Sequence, residues 1–172
     1  FVSFGIGGAD RTAFNLLSGL KEIGIEPLIF YNELSHPKRT ADQDPNQPLL
    51  SIKSLYEQHF DLVQLENVED LNRHGLDILH THRSGEDEWL LPGLSSLPRT
   101  FKIVETNFHG YSETPADYRI FPSESLMKWR RIQPSANNSV VPNPIILRDT
   151  DEDLREALGI EPDAVVIGRL AR

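Results

Sequence analysis

Residues 1–17 read FVSFGIGGADRTAFNLL, and this stretch determines the class of fold that the chain can adopt. A short apolar run over residues 1–4 breaks at Gly5, Gly7 and Gly8. Apolar side chains then recur with helical spacing, at Ala13, Leu16, Leu17 and Leu20. The pattern predicts a strand, a glycine turn and a helix over 9–23 that ends at Gly24. Such a junction directs backbone N–H groups and the positive end of the helix dipole at whatever lies above it.

Three interpretations of the glycine turn remain open. A dinucleotide-binding turn has the pattern G-x-G-x-x-G, but Asp10 stands where the third glycine belongs, and a carboxylate there disfavours a pyrophosphate. Glu33, near the end of the next predicted strand, is the candidate for the ribose-binding acid of that pattern. A P-loop is excluded because no G-K-[ST] follows. The turn therefore indicates an NAD-type site, a site for another ligand, or a tight βα turn without a ligand.

The rest of the chain alternates strand and helix patterns. Further strands are predicted over 25–31, 61–66, 76–82, 101–108, 117–123, 138–144 and 164–170. Further helices are predicted over 50–60, 86–94, 123–132 (with Ser123 as the N-cap) and 151–160, and residues 32–48 form a proline-bearing loop. Several strands are apolar on both faces, which is typical of a parallel sheet covered by helices. The fold class is thus α/β, a Rossmann-like parallel sheet with helices on both faces.

Composition limits the partners and the compartment. The chain has 172 residues, 38% hydrophobic and 25% charged, with a net charge of -9, so a nucleic-acid partner is not expected. The absence of cysteine excludes disulfides and thiolate metal sites and fits a reducing compartment. No stretch approaches the ~18 apolar residues of a membrane span, and no signal peptide is visible. A cytoplasmic location is expected, with peripheral membrane contact left open.

Three histidines lie at predicted strand ends. His80 and His82 are two residues apart on one strand, so they share a face, and His82 marks the carboxyl end of that strand. His109 directly follows another strand. Open α/β sheets bind ligands at these ends, so His82 is a candidate substrate-binding residue and His109 a candidate acid/base. A zinc site formed by all three is the alternative, but the spacing matches no metalloenzyme motif, and no metal is assigned.

Two further sets of charged residues are candidates for a functional site. Arg169 follows a predicted strand and a glycine, so its guanidinium can clamp a phosphate. Glu105 and Glu113 do not form a catalytic carboxylate pair, because one lies inside a strand and the other in a loop. No Ser-His-Asp arrangement or G-x-S-x-G motif is present.

Six segments, in this order, resemble the retaining glycosyltransferases of the GT-B fold, most closely glycosyltransferase family 4. They are GIGGADRTAFNLLSGL, LDILHTHRSG, VETNFHG, FPSESL, VVPNPI and LREALGIEPDAVVIGRLAR. Family members typically show G-G-A-E-R before a helix, D-[IV]-[IV]-H-x-H, a strand ending in H-G, a strand ending in serine, V-[IVP]-P-N-G and G-R-L. The chain departs from this pattern at Asp10, in place of glutamate, and at Pro144, in place of glycine.

The resemblance implies two Rossmann-like domains with a cleft between them. Residues 1–147 would be the acceptor-side domain, and residues 148–172 the linker and start of the sugar-nucleotide domain. Gly7 and Gly8 would line the cleft near the donor diphosphate or the acceptor. His109 would lie by the transferring sugar, and Arg169 would meet the donor diphosphate. No metal or other cofactor is implied, because basic side chains stabilise the leaving group. The family's downstream lysine and E-x7-E pair belong to the second domain and are not present there in this sequence. Glu105 and Glu113 have the same spacing but lie in the first domain, so we expect these 172 residues to be inactive alone.

The function predicted by this resemblance is transfer of a sugar from a nucleotide-sugar donor with retention at the anomeric carbon. The acceptor would be a sugar, a polysaccharide or a lipid-linked molecule. Two alternatives stay open: an NAD-type Rossmann oxidoreductase, and a Rossmann-like binding module without catalysis.

Overall fold

The computed structural model describes residues 2–5, 7–36, 51–83, 91–110, 112, 114–146, 155, 158–161 and 163–165. Within these residues the chain is an α/β protein with parallel strands, compatible with a Rossmann-like fold. The helices are α1 (Gly8–Glu22), α2 (Lys53–His59) and α3 (Glu124–Trp129). The strands are β1 (Leu28–Tyr31), β2 (Asp61–Gln64), β3 (Ile78–Arg83), β4 (Lys102–Asn107), β5 (Tyr118–Phe121) and β6 (Asn138–Val140). Short 3-10 turns cover Glu33–Ser35, Val68–His74 and Leu94–Ser96.

The strands form two parallel sheets rather than the single sheet predicted. One sheet pairs β1 with β2, and the other has the order β3-β4-β5-β6. All pairs are parallel, with His80 opposite Val104 and Arg119 opposite Glu105 in register. The carboxyl ends of β3 and β4 therefore meet at one edge, which is where ligands bind in such sheets.

The N-terminal run was predicted to be a strand, and the structure contradicts this for the described residues 2–5. The Val2 N–H donates to the Phe30 carbonyl oxygen at 3.2 Å, as a neighbouring strand would. Beyond that point the Phe4 N–H donates to Ser35, and the Phe4 carbonyl accepts from Ile52, both in connecting segments. From Phe4 onward the backbone bonds are thus made to connecting segments, and no continuous ladder forms over the described residues 2–5.

Helix α1 matches its prediction closely. It begins at Gly8, and its carboxyl end is closed by Gly24, which has a φ of 85°. The Gly24 N–H donates to the Lys21 carbonyl and the Ile25 N–H to the Leu20 carbonyl, so the last turn is capped in the Schellman manner. The predicted cap of α3 is also confirmed, because the Ser123 hydroxyl accepts from the Leu126 N–H at 3.2 Å.

Two hydrophobic clusters cover the two faces of β1. Ile29 belongs to a cluster with side chains of α1 and α2, whereas its neighbour Phe30 belongs to a second cluster on the other face. The second cluster holds side chains of β3, β4 and the 3-10 turns, namely Leu65, Val68, Leu71, Leu79, Leu91, Leu94, Leu97, Phe101 and Ile103. Because Phe30 packs with Leu79, the two sheets share this core although no ladder joins them within the described residues.

Some predictions fall outside the described residues. These are most of the loop over 32–48, most of the helix over 86–94, most of the helix over 151–160 and most of the strand over 164–170. The division at residue 147 stays a prediction. In the part of the chain that the structure describes, no helix is long and apolar enough to cross a membrane.

We expect Phe14→Ala to lower the free energy of unfolding by about 3–5 kcal/mol, because a buried aromatic ring leaves a cavity. Phe14 lies in α1, is 3% exposed and makes edge contacts with Tyr56 and Phe60, at centroid distances of 5.4 and 5.7 Å. Urea unfolding followed by circular dichroism measures the change. Ile23→Ala is the control: its side chain is 74% exposed, so the change should stay within about 0.5 kcal/mol. Equal effects of the two substitutions would contradict the packing described.

Candidate functional site

The glycine turn is built around the carboxylate of Asp10. A Cβ added at Gly5 would lie 2.7 Å from Asp10 Oδ2, and one at Gly7 would lie 3.2 Å from the same oxygen. A Cβ at Gly8 would meet nothing within 4 Å. The other carboxylate oxygen accepts a hydrogen bond from the Ser3 hydroxyl. Gly5 and Gly7 therefore make room for the Asp10 side chain.

The position of Asp10 affects which ligand the turn can accept. It lies in the first turn of α1, where its negative charge interacts favourably with the positive end of the helix dipole. Its backbone carbonyl accepts a hydrogen bond from the Tyr56 hydroxyl at 3.0 Å, which ties α2 to the start of α1. Burial raises the pKa of Tyr56, and the Asp10 charge raises it further. With a carboxylate already at the helix start, a bound pyrophosphate would meet like charge.

His80 and His82 form a stacked pair on one face of β3. Their ring centroids lie 4.6 Å apart with an interplanar angle of 24°. Nε2 of His80 lies 2.9 Å from the Thr106 hydroxyl of β4. Nδ1 of His82 is buried and has no hydrogen-bond partner among the described residues. The pair thus links the carboxyl halves of two neighbouring strands.

Both histidines are held neutral near pH 7. Burial lowers the pKa of His80 to about 4. Burial also lowers the pKa of His82 well below its usual value, and the neighbouring His80 lowers it further. A neutral imidazole has one donor and one acceptor nitrogen, so His82 can position a hydroxyl group but cannot serve as a cation.

The zinc alternative gains no support from the described residues. Among them, no group of three or more histidine, aspartate or glutamate side chains could hold a metal ion. The Nε2 atom of His80 is instead engaged with Thr106.

His109 lies just beyond the carboxyl end of β4 in a tight turn. The Asn107 side-chain oxygen accepts from the His109 N–H at 3.0 Å and from the Gly110 N–H. Gly110 follows with a φ of 73°, a value that favours glycine. The His109 side chain is exposed, in contrast to the stacked pair on β3. His109 is therefore presented to solvent at the edge where ligands bind.

The structure brings two of the predicted site residues, His82 and His109, to one edge of the sheet. The His82 ring stacks on Phe108 at a centroid distance of 6.3 Å, and Phe108 adjoins His109 in sequence. Helix α1, which begins at Gly8, contacts β3. Arg169 lies outside the described residues, so its predicted role at a phosphate stays a prediction.

Sequence patterns did not predict the ion pair between Glu105 and Arg119. Glu105 is fully buried on β4, and its Oε2 accepts from Arg119 Nε on β5 at 3.0 Å. Arg119 also donates to the Thr114 carbonyl and lines a cavity of about 280 Å³ with Asn107 and Ser112. A charged residue of opposite sign inside each of two neighbouring strands, Glu105 in β4 and Arg119 in β5, was the available signal. The pair supports the interpretation of Glu105 as a structural carboxylate.

Comparisons with known proteins identify no family. No family model matches the chain, and no curated protein or solved structure is significantly similar to it. The resemblance of its motifs to family 4 glycosyltransferases therefore stays a prediction.

We expect Gly5→Ala to lower the free energy of unfolding by about 1–3 kcal/mol, because the new Cβ would displace the Asp10 carboxylate. Gly8→Ala should change it by less than about 1 kcal/mol, in the stabilising direction, since the added methyl meets open space. Urea unfolding of Gly5→Ala, Asp10→Ala and the double variant forms a thermodynamic cycle. A coupling energy above about 0.5 kcal/mol is expected. Strict additivity would show that the two residues do not interact.

We expect the free energy of unfolding to fall as the pH falls from about 6.5 toward 4. The unfolded chain protonates both histidines near pH 6.5, whereas the folded chain keeps their pKa values depressed. Each histidine should contribute up to about 1.4 kcal/mol per pH unit in this window. The Ile103 N–H and Arg99 lower the pKa of Asp117, so the contribution of this carboxylate to the free energy of unfolding is lost at lower pH.

Urea unfolding at several pH values between about 4.5 and 7.5 measures the slope of the free energy of unfolding against pH. His80→Gln should reduce the slope, and His74→Gln, an exposed histidine before β3, should not. An unchanged slope in His80→Gln would contradict the neutral, buried state.

Proposed function

We propose that this chain is the acceptor-side part of a retaining glycosyltransferase that uses a nucleotide-sugar donor. In the reaction, the bond between the anomeric carbon and the diphosphate oxygen breaks. A bond to an acceptor hydroxyl oxygen forms on the same face of the sugar, and the acceptor proton leaves. The acceptor would be a sugar, a polysaccharide or a lipid-linked molecule.

One observation carries the proposal: the carboxylate of Asp10 occupies the glycine turn at the start of α1. The order of the sequence motifs favours two classes of Rossmann-like enzyme, those that use a dinucleotide and those that transfer a sugar. The glycine turn distinguishes between these two classes. A carboxylate disfavours a pyrophosphate at this point, so the donor diphosphate would lie elsewhere in the cleft. The carboxylate readily accepts hydrogen bonds from the hydroxyl groups of a sugar acceptor. The same observation speaks against the NAD-type alternative, because the dinucleotide would place its pyrophosphate at the helix start.

His82 and His109 support the proposal through their different environments. The half-buried, neutral His82, whose Nδ1 is shielded from solvent, would orient a hydroxyl group without adding charge. The exposed His109 would lie by the transferring sugar and donate a hydrogen bond there. Charge on the leaving diphosphate would be stabilised by basic side chains, among them Arg169, and no cofactor is proposed.

We expect the full-length natural chain that contains these residues to release nucleotide from one donor in a panel of UDP-, GDP- and ADP-sugars. His109→Ala and Arg169→Ala should each lower kcat/KM by about 100-fold or more, since each would act on charge that develops in the transition state. His74→Ala is the matched control, because His74 lies before the amino end of β3, away from the proposed site. A coupled assay of nucleotide release measures all four proteins.

Two results would overturn the proposal. One is the absence of release with any donor while the protein binds NAD tightly. The other is full activity in both His109→Ala and Arg169→Ala. The 172-residue chain itself should show no turnover in the same assay.

A further inference from the structure

The end of α3 presents four consecutive exposed residues that combine charge with a large aromatic surface. We name Lys128, Trp129, Arg130 and Arg131 the basic tryptophan patch. Trp129 is 70% exposed, an unusual state for a side chain of this size. An exposed large apolar residue flanked by cations indicates an interaction surface rather than a packing residue.

The patch reverses the charge of the chain locally. Between residues 122 and 135 there are three positive side chains and one negative one, Glu124, in a chain of net charge -9. Glu124 lies 3.3 Å from Lys128, but both side chains are at least 75% exposed, so this pair is weak. The Debye length is about 8 Å at physiological salt. Negative charges elsewhere on the chain therefore repel only weakly an anionic surface that contacts the patch.

The local backbone holds the tryptophan ring outward. The Arg130 guanidinium lies over the Trp129 ring, 4.1 Å from its centroid. Arg131 has a φ of 56°, which ends the helix, and the Ile132 N–H then bonds back to the Met127 carbonyl at 2.9 Å. The ring is therefore positioned by an arginine at the surface instead of by the core.

An apolar groove adjoins the patch. It has a volume of about 670 Å³ and includes the side chains of Met127, Ile132, Pro134 and Val140. Lys128 and Arg131 of the patch also line it. The site thus offers apolar surface and positive charge side by side, which matches a phospholipid headgroup together with the upper part of its acyl chains.

We propose that the basic tryptophan patch docks the chain on a membrane surface that contains anionic lipids. Tryptophan is enriched at the membrane–water interface, and clustered Lys and Arg are attracted to anionic headgroups. A nucleic-acid partner is disfavoured, because protein–nucleic acid interfaces are polar and strongly basic, whereas the groove beside the patch is mostly apolar. The proposal does not depend on the glycosyltransferase function, since binding to a membrane surface requires neither donor nor acceptor.

Vesicle co-sedimentation tests the proposal directly. The full chain should bind vesicles of mixed phosphatidylcholine and phosphatidylglycerol and should not bind vesicles of phosphatidylcholine alone. Lys128→Gln/Arg131→Gln should lower the partition coefficient about 25-fold, because each cation near an anionic surface contributes roughly fivefold. Trp129→Ala should lower it about tenfold through loss of apolar burial.

Matched variants distinguish binding through the patch from general effects of net charge and of exposed apolar surface. Lys21→Gln/Lys102→Gln removes the same charge elsewhere, and Ile78→Ala removes an apolar side chain that is 59% exposed at the start of β3. Both should bind as the unchanged chain does. In a Trp89→Phe background, Trp129 is the sole tryptophan, and its emission should shift to the blue with anionic vesicles.

Three outcomes would overturn the proposal. These are equal binding to neutral and anionic vesicles, equal losses in the patch and control variants, or tight binding to single-stranded RNA without binding to vesicles. None of them bears on nucleotide-sugar turnover, so the two proposals fail separately.

Discussion

The start of the molecule depends on one carboxylate, that of Asp10, packed against the glycine turn. Its side chain accepts from Ser3 and fills the space left by Gly5, while its backbone carbonyl accepts from Tyr56. These contacts join the N-terminal segment, α1 and α2 around a single residue. The same charge disfavours an anionic group at the turn, so the packing of the turn and its electrostatics have one physical cause.

The parallel ladder of β3 and β4 gives the candidate site two different kinds of histidine. His82 lies on the strand and is half-buried among its neighbours, which lowers its pKa and holds its ring neutral. His109 lies past the strand end, where an Asx-type turn at Asn107 directs it to solvent. Residues of one type at adjacent strand ends can thus take different roles, because position along the ladder decides how much water each ring meets.

Local patterns were predictable from the sequence because they depend on near neighbours. Helix α1, its terminal Gly24 and the Ser123 cap follow from spacing and from the hydrogen bonding of single residues. The N-terminal run was predicted wrongly, since its apolar residues suit a strand while its backbone partners, such as Ser35, lie in connecting segments.

Contacts between distant residues could not be predicted in the same way. The Glu105–Arg119 pair and the contact of His80 with Thr106 depend on strand register, which only the folded chain determines. For the site, the sequence predicted that His82 and His109 lie at strand ends. It did not predict that Asp10 would be the reason for the glycines.

The contact between Gly110 and Arg130 has a consequence for which sequences the fold accepts. A Cβ at position 110 would overlap the Arg130 side chain, and the backbone there has a φ of 73°. In a library that randomises position 110 alone, glycine should dominate among the folded survivors. If position 130 is randomised with it, glycine at 130 should relieve the overlap, because an added Cβ at 110 would lie only 2.9 Å from the Arg130 Cβ, but the backbone preference would remain. Asparagine and aspartate at 110 should then be recovered first, because they tolerate a left-handed backbone best among the other residues.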